Sequence, residues 1–292
     1  MRSRSSSLLL VGLSYLAAAA AALGLGLALS GRHPLAVAAA ADAAATAVVF
    51  AFSLLYDNTS NYDPYWSLAP LPIAVYFGLA PGAEPQPVRF WLVTGLIAAW
   101  GLRLTWNWIR AWPGLHCEDW RYADFRARSG RAYWLVSFAG LHGFPTLVVF
   151  GGLVPVWAAF EPGSRPLGWL DGLAGLVMLG AICIEAVADS QLHRFVSRPG
   201  RRPDEILDTG LWRYARHPNY FGEISFWWGL YLFALAADPA SWWCVFGPAA
   251  ITIMFVCVSI PMIERRMRAR RPGWTAHARR SSALVPLPPR KA

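Results

Sequence analysis

Eight stretches almost free of charge recur along this 292-residue chain, at about 8–29, 35–56, 67–80, 90–109, 134–160, 167–190, 220–237 and 241–263. About 20 apolar residues in helical conformation cover the roughly 30 Å of hydrocarbon in a bilayer, and a helix satisfies its own peptide groups there. The pattern predicts an all-α, polytopic integral membrane bundle of seven or eight transmembrane helices. The short 67–80 stretch crosses only if Tyr65 and Trp66 are counted with it. Composition agrees, since 56% hydrophobic residues, 15% charged residues and 16 Trp lie outside the range of soluble domains. The run 8–29 behind Arg2 and Arg4 is longer than the core of a signal peptide and reads as a retained first span.

Eight spans put both chain ends on one side. The N-terminus, 57–66, 110–133, 191–219 and the tail after Glu264 then hold 22 of the 26 Lys and Arg, which argues that this side is cytoplasmic. A re-entrant 67–80 would leave seven spans and move the N-terminus across. The formal charge of +9 belongs to cytoplasmic loops beside anionic headgroups, not to nucleic-acid binding. Cys117, Cys183, Cys244 and Cys257 are scattered without metal-ligand spacing, so neither a disulfide framework nor a metal site is expected. Gly24-Leu-Gly26 lacks the preceding strand that a dinucleotide loop needs and reads as helix packing.

Polar residues stand where such a bundle tolerates them least. A charged residue at the centre of a membrane helix costs about 2.5–3.5 kcal/mol, so one that persists faces a partner or a polar cavity. Pro218 suits a first helical turn, and Arg216, Asn219, Tyr220 and Glu223 then fall on one helix face at i, i+3, i+4 and i+7. Glu185, Asp189 and His193 form a second stripe at i, i+4 and i+8. Arg103 either pairs with Glu185, Asp189 or Glu223, or binds a ligand phosphate. Arg121 and Tyr122 follow Trp120 in one long loop, and Arg198, Arg201, Arg202, Arg213 and Arg216 lie in another. Together they could form a basic rim suited to a phosphate-bearing soluble cofactor. Tyr62 and Asp63 offer a phenol and a carboxylate for holding and protonating a substrate oxygen.

The segments Trp100-Gly-Leu-Arg-Leu104, Glu118-Asp-Trp-Arg-Tyr122, Glu185-Ala-Val-Ala-Asp-Ser-Gln191 and Gly210-Leu-Trp-Arg-Tyr-Ala-Arg-His-Pro-Asn-Tyr-Phe-Gly-Glu223 occur in that order. They resemble the steroid 5α-reductase superfamily, most of all its bacterial branch of membrane proteins. The resemblance implies N-terminal membrane helices over 1–55 and a catalytic membrane domain over 56–292. It implies a bacterial inner-membrane location, and NADPH bound from the cytoplasmic side and used to reduce an activated C=C of a lipophilic, steroid-like or other lipid substrate. Asp189, Asn219 and Glu223 would contact the cofactor, with Arg216, His217 and Tyr220 nearby. Arg103, Arg121, Tyr122, Glu185, Arg198, Arg213 and Tyr214 complete the expected cofactor-binding set.

The family's enone-gripping Tyr and Glu correspond approximately to Trp100 and Leu68 here, so Tyr62 with Asp63 is the expected proton-donating replacement. Trp274 and His277 stand ahead of Pro286, where the family carries tyrosines. The Arg-His-Pro-Asn-Tyr core is shared with membrane methyltransferases of the isoprenylcysteine carboxyl methyltransferase type, which use S-adenosylmethionine. A non-catalytic membrane scaffold is the third reading.

Overall fold

The computed structural model describes residues 3–290, which are helical with no strand beyond one isolated bridge between Ala215 and Ser282. Helices α1 (Arg4–Ala28) and α2 (Pro34–Tyr56) form an antiparallel pair in contact through Ala18 and Ala45. A 3₁₀ turn (Thr59–Tyr62) leads to α3 (Tyr65–Leu68), α4 (Pro70–Leu79) and the long α5 (Pro87–Ala111). Next come α6 (Trp120–Ser129), α7 (Tyr133–Val136), a π-helical stretch (Ser137–Gly143) and α8 (Phe144–Ala159). Then follow α9 (Trp169–Val196), α10 (Pro218–Ala237), α11 (Phe246–Met254), a second π-helical stretch (Phe255–Ser259), α12 (Ile260–Arg270) and α13 (Trp274–Arg280). Proline stands in the first turn of α2, α5 and α10, where its missing N–H breaks no helical bond, whereas in α8 and α12 it follows directly on a π-helical stretch.

Five segments are long and apolar enough to cross a membrane: Arg4–Ala28, Pro34–Tyr56, Trp120–Ala159, Trp169–Val196 and Pro239–Arg270. The chain is thus an all-helical integral membrane protein. Its core is aromatic, with Phe77, Trp100, Phe160, Phe226, Trp227 and Phe233 buried together. Glycines let the central helices approach closely. A Cβ on Gly222 of α10 would stand 2.5 Å from Glu185 Cγ and 2.8 Å from the Ala181 carbonyl of α9. Gly24 meets nothing within 4 Å, so close packing does not explain that glycine.

Two expectations about loops are corrected. The segment 57–66, read as a cytoplasmic loop, tucks into the bundle, and Asn58, Thr59, Ser60, Asn61 and Tyr62 are each 0–1% exposed. Partners from three separate parts of the chain make this possible. Asn58 donates to the Leu115 and Cys117 carbonyls, the Thr59 N–H donates to Glu118, and Thr59 Oγ1 lies 2.6 Å from Tyr133 Oη. Asn61 donates to the Val49 carbonyl. Arg89, which immediately precedes the 90–109 stretch and so belongs to an external loop on the eight-span reading, is fully buried in the first turn of α5, where it grips Asp171 (2.7 and 3.1 Å) and the Arg165 carbonyl.

Candidate functional site at the arginine-rich end of the bundle

Arg89 and Asp171 join α5 to α9 at one end of the bundle, and Arg103, about 21 Å further along α5 at 1.5 Å per residue, joins the same helices at the other. There Arg103 donates to Glu185 Oε2 (2.6 Å) and to Asp189 Oδ2 (2.8 Å). Asn107, one turn on, donates to the same Asp189 oxygen (2.6 Å), and Asn219 of α10 reaches Asp189 Oδ1 at 3.3 Å. Glu223, one turn beyond Asn219, accepts the indole N–H of Trp100 (3.0 Å) and of Trp227 (2.8 Å). Three helices thus converge on three carboxylates and one guanidinium. The Arg103 Nε–H is buried without a hydrogen-bond partner among the described residues, a donor that a ligand acceptor could take.

The expected face of Arg216, Asn219, Tyr220 and Glu223 is only partly realised. Asn219 and Glu223 enter the cluster, but α10 begins at Pro218 and the chain turns sharply before it. Arg216 instead meets Glu264 of α12 (2.5 Å) and donates to the carbonyls of Ala278 and Ser281. Glu264 also accepts from the Trp274 indole (3.3 Å), and His217 Nε2 lies 3.5 Å from it. The backbone N–H groups of Arg216 and His217 donate to Ser282 and Ala283, and that of Leu287 donates to Tyr214, so residues 282–287 lie as a strap across 214–217. Tyr220 packs between the His217 ring, stacked at 5.4 Å, and Phe255. His193 is exposed.

Tyr62 and Asp63, expected as a working pair, are parted because consecutive residues of a tight turn project in different directions. Tyr62 is 1% exposed and its hydroxyl lies 2.8 Å from Thr146 Oγ1 of α8, itself 3.0 Å from Thr46 Oγ1. Asp63 instead accepts from the Tyr122 hydroxyl, lies 3.6 Å from Arg121 and lines a cavity of about 350 Å³ with Trp66, Leu104, Trp108 and Arg121. Burial, against the opposing pull of Arg121, raises the Asp63 carboxyl from 3.8 to about 6.

Arg121 is shared between Asp63 and Asp119, and Arg198 pairs with Glu205 in the exposed loop. Arg213 and Tyr214 are exposed beside it. Trp100, Asn107 and Trp227 were not anticipated as members of the cluster. The signal for the last two was one-turn spacing from Arg103 and Glu223.

This arrangement defines a class: a helical membrane protein with a buried, arginine-bridged carboxylate cluster beneath arginine-bearing loops at one end. Residues 49–281 match the family described as protein of unknown function (DUF1295), and a match over that share of the chain places the protein in that family. The chain is also 28% identical over 224 residues to an uncharacterized protein of Schizosaccharomyces pombe, a match covering 68% of this chain and 64% of the relative. No solved structure matches it.

Proposed function

We propose that this protein is an NADPH-dependent membrane reductase of the steroid 5α-reductase superfamily, acting on an activated C=C of a lipophilic molecule that arrives from the bilayer. The observation behind this reading is the cluster of Arg103, Glu185, Asp189, Asn219 and Glu223. Five polar side chains from three helices are gathered in an apolar bundle, at a cost that a structural role alone does not require. The residues suit such a cofactor. Arg103 retains a free buried donor, carboxylate and amide acceptors stand beside it, and Arg121 at the start of α6 with Arg198 and Arg213 would meet phosphates by exchanging their present partners, Asp63, Asp119 and Glu205 among them.

When bound, NADPH supplies the hydride. Asp189 and Asn219 would hold its carboxamide end, while Trp100 and Trp227 fix Glu223 and help close the site to water. The Asp63 carboxyl, held by the Tyr122 hydroxyl and raised by burial to about 6, is the group we assign to proton delivery to the substrate carbon or oxygen. We further propose that α5 and α10 cross alongside the five apolar segments and that α3–α4 makes a broken eighth passage. Both chain ends would then face the cytoplasm, with the site, at a bacterial inner membrane.

The test is ligand binding to detergent-purified protein, followed by quenching of tryptophan fluorescence. NADPH should bind at micromolar concentration and S-adenosylmethionine much more weakly. The reverse preference would favour the methyltransferase, and binding of neither would favour the scaffold.

A further inference from the structure

A second cavity, about 480 Å³, lies between α1, α2 and α3–α4 and shares no lining residue with the cluster described above. It exists because its walls are short: seven of its 20 lining residues are alanine. Helices α1 and α2 meet through small side chains near Ala18 and Ala45 and leave room beside them. In a bilayer such a space takes up hydrocarbon, and on its apolar lining alone it would discriminate nothing. Asp42 changes this. It is the one charged residue among the lining residues, and it stands nine residues into α2 at 6% exposure.

One oxygen of its carboxyl accepts the Tyr65 hydroxyl at 2.7 Å, and that hydroxyl also lies 3.3 Å from the Asp42 carbonyl. Among the described residues the other carboxyl oxygen has no hydrogen-bond partner, and Asp42 faces the cavity. That oxygen is open to the cavity, and a carboxyl kept inside an apolar segment is costly unless a ligand or a relay partner matches it.

We propose that this cavity binds a lipophilic alcohol, with its hydroxyl on the free oxygen of Asp42 and its hydrocarbon body among the alanines. The choice of an alcohol follows from the inventory of donors and acceptors. A hydroxyl both donates and accepts, so it satisfies the Asp42 oxygen in either protonation state, whereas a ketone or ester only accepts and an ammonium only donates. The volume falls within the 300–1,000 Å³ or so of small-molecule sites. Tyr65 holds the carboxyl in place and is a positioning residue. The proposal does not depend on the reductase reading, because it concerns different residues.

The experiment uses the full chain, delipidated in detergent, with radiolabelled hexadecan-1-ol and its methyl ether as probes. The alcohol should bind about 10-fold or more tighter than the ether, as expected for one buried hydrogen bond. Asp42→Ala should reduce alcohol binding to the level of the ether, while Asp42→Asn, which can keep the Tyr65 bond and still face the hydroxyl, should stay within about threefold of the native protein. Ala19→Phe, which fills the space, should remove both probes and leave Asp42 intact. Equal affinity for alcohol and ether in the native protein would reduce the cavity to an unselective hydrocarbon space and overturn the proposal. Alcohol binding retained in a monodisperse Asp42→Ala protein would do the same. NADPH binding, measured in parallel on the same samples, keeps a failure of the reductase reading separate from a failure of this one.

Discussion

Replacing Arg103 by Gln should be among the most damaging single changes in the molecule. Arg103 spans Glu185 and Asp189 at 2.6 and 2.8 Å, with side-chain exposures of 14%, 3% and 16%. Two unit charges 4 Å apart interact by about 4 kcal/mol at an effective dielectric constant of 20. Removing one partner of a buried pair typically costs about 3–5 kcal/mol, because the remaining charge keeps its desolvation penalty and loses its compensation. Here two carboxylates lose their shared partner, and Glu223 lies in the same cluster to repel them further.

Unfolding in dodecyl maltoside micelles by added dodecyl sulfate, followed by circular dichroism, should show Arg103→Gln destabilised by about 3–5 kcal/mol. Adding Asp189→Asn to that variant should recover about 1–2 kcal/mol, since the amide removes one stranded charge and its one acceptor oxygen can still take the Asn107 or the Asn219 donor. A loss below about 1 kcal/mol, or strict additivity in the double variant, would mean that water reaches the cluster freely and that its charges are not desolvated.

Glu223→Ala should weaken NADPH binding by about 5- to 150-fold without preventing insertion, and unchanged affinity would make Glu223 only a holder of Trp100 and Trp227. Asp63→Asn should lower turnover by roughly 100-fold, whereas Tyr62→Phe, which removes only the Thr146 contact, should cost about 0.5–1.5 kcal/mol of stability and leave turnover intact. Exchange of these two outcomes in an NADPH-oxidation assay with lipid extract would return the proton to Tyr62. Gly222→Ala should loosen the α9–α10 contact by about 1–3 kcal/mol, since its Cβ would meet the Ala181 carbonyl at 2.8 Å and backbone yields little. Burial, helped by Arg216, holds His277 of α13 below its ordinary 6.5. Because the folded state binds this proton less readily than the unfolded one, stability is fullest above 6.5 and falls as pH drops below it. Hydrogen-exchange protection in the 282–287 strap, after correction for the intrinsic pH dependence of exchange, should therefore fall on acidification in the native protein and much less in His277→Gln.

What the sequence made legible follows the reach of each interaction. The apolar stretches and the Glu185, Asp189 stripe depend on spacing within a helix, and the structure places them much as read. Arg103 could be matched to Glu185 and Asp189 because an intramembrane cation must find an anion and few were available. The fate of Arg216 was hidden, since Glu264 and the strap that engage it lie 48 or more residues away and nothing local announces them. The burial of 57–66 was hidden for the same reason: its polarity suggested water, yet its partners are carbonyls and side chains from separate elements.

Trp100 and Trp227 point to a different lesson. Tryptophans in a membrane chain invite reading as interface anchors, but an indole N–H in an apolar bundle must find an acceptor, and Glu223 supplies one for both. Asp42 was legible by the rule applied to Glu223, as the one charge inside the 35–56 stretch, and its neighbours offered no motif to draw attention to it. The rule concerns cost, not motifs. A lone carboxyl that a membrane helix keeps must be matched to something, and where the protein matches only one of its oxygens, the remaining acceptor marks the place to look for a ligand.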